Sequence, residues 1–145
     1  MRYLDRAETP LAFTHAASYR DKGSSALYTY GGKLFLSLLP KEQLSSLIGN
    51  LNLEQKTVNT LTSRKTMEKA LGKIRKEQVG TDNQEFIEGM VCVAVSIFNR
   101  RKRLFATLSI HVPSSRMSLE ELSRHVPRLQ KTSHDLTLIT DPGDN

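Results

Sequence analysis

The sequence predicts an α/β (α+β) domain, an antiparallel sheet flanked by helices. Two segments of strand length, MVCVAVSIF (90–98) and LFATLSIH (104–111), stand either side of a polar turn, NRRKR (99–103), which is the pattern of a β-hairpin. Other stretches repeat apolar residues every three to four positions, the helical period. At 145 residues the chain is one domain's worth, long enough to bury a core.

Taken in order, MRYLDR (1–6) and LAFTHAAS (11–18) read as extended, the second alternating Leu11, Phe13, His15 and Ala17 against Ala12, Thr14 and Ala16. YRDKGSS (19–25) reads as a loop. A helix follows from Thr29 with Leu34, Phe35 and Leu38 on one side, and Pro40 opens a second one carrying Leu44, Leu47 and Ile48 that ends at 49–52. Ser63 is suited to cap the next helix, whose buried stripe is Met67, Leu71 and Ile74 and whose Lys and Arg residues take the opposite, solvated face. After the hairpin, Ser118 and Glu121 have capping-box spacing ahead of Leu119, Leu122, Val126 and Leu129. Pro127 cannot sit inside a helix without loss of a backbone bond, so a bend is expected at 124–126. Residues 140–145 read as a disordered tail.

A four-residue connection at 100–103 would pair Asn99 with Leu104, Ala94 with Ser109 and Cys92 with His111, and directly opposed residues share a face. One face is then Val91, Val93, Val95 and Ile97 with Leu104, Ala106, Leu108 and Ile110, a core face. The other carries Cys92, Ala94, Ser96, Thr107, Ser109 and His111. Short polar groups leave volume and offer hydrogen bonds to a small ligand; they equally suit a solvent-facing side.

Composition narrows the partners. No apolar run approaches the roughly 20 residues of a membrane span, so a membrane partner is not expected. Met1 is followed by RYLDR without an apolar leader core, and Cys92, the one cysteine, cannot make an internal disulfide, so the expected compartment is cytoplasmic. The +6 formal charge raises nucleic acid as a partner, but most cations are spread along helical stretches and only 99–103 is a dense cluster, which a polar turn also explains.

LYTYGGKLFLSLLPKEQL (27–44) resembles the Thr-x-x-Gly-Lys segment that opens a helix in effector-binding domains of the isocitrate lyase regulator (IclR) family of bacterial transcription factors. Residues 62–116 are similar to the longer family pattern: a helix ending in Ile74 and Arg75, then Asp82, Glu85, Gly89, Cys92 and Ala94, a hairpin, and Pro113 and Arg116 before the last helix. With Thr29, Gly32 and Lys33 these matches keep order and spacing over most of the chain.

The resemblance implies a GAF-like domain over residues 1–139 with a ligand pocket on one sheet face, sensing a small, usually anionic, carboxylate metabolite. It implies no cofactor, a homodimer or homotetramer, and DNA contact only through an N-terminal winged helix-turn-helix domain, which these residues do not contain. The first helix and strand of the usual effector domain are also not matched. Carried over residue by residue, it implies ligand contacts at Tyr30, Gly31, Asp82, Met90, Cys92, Ser109 and His111, with Cys92 facing a cavity, Asp82 at its rim and Gly89 admitting the chain to the sheet. Gly31 and Gly32 have a reason of their own, because amides at a helix N-terminus bind carboxylates; a tight turn is the plainer explanation of the pair. The family commonly has Gly-Tyr at Gln78 and Val79, Pro at Ser25, Ala at Tyr30 and Ser at His111, so Tyr30 would reshape the pocket.

Two rival functions remain. Cys92, His111 and Asp82 are nominally a thiol hydrolase triad or a metal site, although a mid-strand apolar setting does not activate a thiol and the three lack metal-ligand spacing. A ligand-free oligomerisation module is the other.

Overall fold

The computed structural model describes residues 29–49, 53–99 and 101–140. In chain order these form α1 (Tyr30–Ser37), α2 (Lys41–Gly49), α3 (Arg64–Glu77), β1 (Val79–Asn83), β2 (Met90–Phe98), β3 (Leu104–Pro113), α4 (Leu119–Ser123) and α5 (Val126–Thr140). The extended segments expected at 1–6 and 11–18, the loop at 19–25 and the tail past Thr140 lie outside the described residues.

The described strands make one antiparallel sheet in the order β1-β2-β3. Cys92 pairs with His111 and Ala94 with Ser109, as the alternating pattern requires, but an irregularity at Ile97 and Phe98 brings Leu104 opposite Phe98 instead of Asn99. The turn closes on three residues rather than four: the Asn99 amide donates to the Arg103 carbonyl, the Asn99 carbonyl accepts the Lys102 amide, its side chain accepts the Arg103 amide, and Lys102 takes a left-handed φ of 56°. Phe105 is then the extra residue of β3, a bulge between the Phe98–Leu104 and Ile97–Ala106 pairs that restores the expected register.

Strand β1 was not expected from VGTDN, a composition poor in β-formers, and exists because β2 supplies its partners. It also depends on Gly80. A Cβ there would stand 2.5 Å from the Tyr30 carbonyl and 2.8 Å from Leu34, so only glycine lets α1 lie this close to the sheet.

The Val91, Val93 and Val95 face packs with Leu122 and Leu129 from α4 and α5, as expected of a core face. The other face meets α1 and α3: Cys92 and Ala94 pack with Tyr30, Leu34, Leu36, Met67, Leu71 and Ile74. Thr29 and Ser63 cap α1 and α3 through their side chains, and the Ser118/Glu121 capping box forms at α4. The bend forms too: α4 stops at Ser123 and α5 restarts at Val126, placing Pro127 in a first turn, where a missing N–H costs nothing. In α1 the expected stripe is corrected, since Phe35 is 56% exposed and Leu36 is buried. Wedged between sheet and α3, α1 buries seven of its eight residues, so a period read over so few positions cannot find its outer side.

Candidate functional site

Register puts three of the expected residues in one row across the sheet: Asp82 of β1 opposes Cys92 of β2, which opposes His111 of β3. The next row is Gly80, Ala94 and Ser109, and Met90 continues the same face at the end of β2. Above this face lies the start of α1, because Gly80 admits it, and the expected Tyr30, Gly31 and Gly32 are there, all buried. The structure therefore gathers the expected residues around one sheet face.

Coverage of that face is uneven. On β1 and β2 it is packed: Cys92 is 2% exposed and its thiol donates to its neighbour's carbonyl, Val93 O, at 3.6 Å. The expectation that Cys92 faces a cavity rather than the core is thus corrected, since α1 covers it. On β3 the face opens, with Ser109 half-buried and His111 exposed. There His111 Nε2 lies 2.8 Å from the Tyr30 hydroxyl and 3.3 Å from Ser109 Oγ, and the Tyr30 and His111 rings meet edge to face with centroids 4.6 Å apart. Of the glycine amides, that of Gly32 is already engaged by Thr29 Oγ1 at 3.2 Å.

Beneath this surface is a charge cluster that sequence reasoning missed. Lys33, 1% exposed, reaches from α1 to both carboxylate oxygens of Glu85 at 2.8 and 2.7 Å. Both residues belong to the quoted motifs, yet a lysine is ordinarily a surface residue, and only its place in the small and apolar run YGGKLFLS marks it as different. The segment carrying Glu85 is held from behind by Thr57 and Thr60, whose hydroxyls donate to the Gln84 and Glu85 carbonyls at 2.6 and 2.7 Å. Gly89 closes that segment with φ +79°, matching its expected role as the entry to β2.

Asp82 is buried beside this pair rather than at a rim, with Oδ1 accepting the Glu85 amide at 2.8 Å. Burial pushes its carboxyl up to about 6, against the opposing pull of that hydrogen bond and the Lys33 charge. Burial also pushes the Cys92 thiol well up, and the Asp82 charge adds to it. A thiol held protonated, hydrogen-bonded to a backbone carbonyl and not to His111, lacks the pairing a thiol nucleophile needs. Among the described residues no group of three or more His, Cys, Asp or Glu is placed to hold a metal, and no helix is long and apolar enough to cross a membrane.

Comparison with known proteins places this arrangement. The "Probable transcriptional regulator SauR" of Cupriavidus necator is 33% identical over 138 residues, 92% of this chain and 53% of that protein. The HTH-type transcriptional regulator KdgR of Escherichia coli is 29% identical over 106 residues, 73% of this chain and 40% of that protein. The chain thus spans about half, or less, of the length of these relatives. The crystal structure of the KdgR C-terminal domain superposes with a TM-score of 0.68 at 28% identity, covering 78% of this chain and 69% of that one. The inducer-binding domain of a double mutant of PobR from Acinetobacter, in complex with 3-hydroxybenzoic acid, gives 0.73 at 26% identity, covering 77% and 65%. Residues 2–138 match the model of the bacterial transcriptional regulator IclR C-terminal domain, and the chain belongs to that family.

Proposed function

We propose that the chain is the small-molecule sensor of an IclR-type transcriptional regulator, that its effector is a small carboxylate metabolite, and that the effector sits on the Cys92/His111 face beside the start of α1. The observation that carries this reading is the convergence of the Tyr30 hydroxyl and Ser109 Oγ on His111 Nε2 where the face opens. Hydroxyls and an imidazole are the groups a carboxylate needs for orientation. In this reading Met90 borders the site, Asp82 and Cys92 support it from beneath the Tyr30 ring, and Gly31 and Gly32 at the start of α1 form its N-terminal wall. The PobR domain, a structural neighbour, is a complex with a carboxylic acid. In the longer regulator, effector occupancy would alter self-association or operator binding through a winged helix-turn-helix domain.

One observation favours a second reading, a ligand-free association module: Tyr30 is 4% exposed and packs over Cys92 and Ala94. Thermal denaturation against a panel of short carboxylic and sugar acids separates the two. A sensor gains RT ln(1 + [L]/Kd), about 2.7 kcal/mol at a hundredfold excess over Kd. Protection by no acid, together with dimers or tetramers in light scattering, supports the association module instead.

A further inference from the structure

We infer that Tyr30 sets the size limit of this site, so that its effector is a short carboxylate and benzoate-sized acids are refused. This rests on the sensor reading above. Tyr30 is held at its backbone and at its hydroxyl. Its backbone carbonyl lies so close to Gly80 that a Cβ there would stand 2.5 Å away, and its hydroxyl is 2.8 Å from His111 Nε2. Between those anchors the ring belongs to the same packed cluster as Cys92 and Ala94, and it meets the imidazole edge to face at 83°. A ring fixed in this way is a wall, not a gate that a larger ligand could push aside. The part of the face left open is the Ser109 and His111 strip of β3, where two polar side chains 3.3 Å apart match one carboxylate. An aromatic acid would need the volume that the Tyr30 ring fills.

Shortening the ring should therefore create room for another ring, since apolar cavities left by truncation accept benzene-like guests. Calorimetric titrations with pyruvate, glyoxylate and 3-hydroxybenzoate, run on the parent, Tyr30→Ala and Tyr30→Phe, test this. Tyr30→Ala should bind 3-hydroxybenzoate about tenfold or more tighter than the parent, within the range that pocket volume alone discriminates. Tyr30→Phe keeps the ring and should go on refusing it. If Tyr30→Ala does not fold, Tyr30→Leu keeps apolar packing, opens a smaller space and should show the same gain in weaker form. The size limit is overturned if the parent binds 3-hydroxybenzoate as well as the truncated variants do, or if Tyr30→Phe gains it, while the sensor reading survives either result. Failure of the parent and every folded variant to bind any of the three acids overturns both.

Discussion

Val93 and Cys92 are consecutive residues of β2, equally buried, and they look into different chemistry. On the Val93 side Val91 and Val95 meet Leu122 and Leu129, all apolar, and α4 and α5 close over them. On the Cys92 side the same strand supports Asp82, a buried Lys33–Glu85 pair and the Tyr30–His111 contact, with α1 pressed close enough to require Gly80. One side is packing that many apolar sequences could satisfy. The other sets charge and hydrogen-bonding capacity into the core, an arrangement costly unless every group is matched, and it lies under the candidate effector site.

The largest expected effect breaks the Cys92 side at its charge pair. Lys33→Met leaves the Glu85 carboxylate buried without its cation and should cost about 3–5 kcal/mol in chemical denaturation. The double variant Lys33→Met/Glu85→Leu should recover much of that loss, because the apolar pair restores a matched interior. A Lys33→Met cost below about 1 kcal/mol would mean that the pair is not matched in the way the fold requires.

Next comes Asp82, where the sign follows from its raised carboxyl. A carboxyl shifted from 3.8 to about 6 by burial binds its proton more tightly folded than unfolded. It therefore favours the fold below pH ~4, and that contribution is lost as pH rises through 6, up to about 3 kcal/mol. Asp82→Asn keeps the oxygen that accepts the Glu85 amide and removes the charge. It should stabilise the protein by up to about that amount at pH 7.5 and hardly at all at pH 4. A variant destabilised at pH 7.5 but not at pH 4 would show instead that the ionised form is needed. Smaller still, Gly80→Ala forces its Cβ against the Tyr30 carbonyl and should cost about 1–3 kcal/mol, whereas Thr81→Val, one residue on and facing the valines, should be nearly silent.

What could be read in the sequence divides along the same line. The valine side was legible because alternation with period two assigns faces, and the expected register of Cys92 and Ala94 holds because the bulge at Phe105 offsets a turn one residue shorter than expected. Ser63 and the Ser118/Glu121 box were legible because capping chemistry is local. The Cys92 side was legible only as a list of residues. That α1 covers Cys92, that Lys33 finds Glu85 52 positions away, and that VGTDN becomes a strand are tertiary facts, decided by what each segment meets. The three-residue turn, and the bulge at Phe105 that compensates it, were hidden because Lys102, a residue with no special liking for positive φ, takes φ 56° there.

The central claim is that the effector binds on the Cys92 side. Amide chemical-shift mapping of the labelled chain, titrated with whichever acid of the panel protects it best, tests this most directly. The expected shifts centre on Gly31, Asp82, Cys92, Ser109 and His111 and leave Leu122 and Leu129 in place. Shifts centred on α4 and α5, with the row from Asp82 to His111 unmoved, would contradict it.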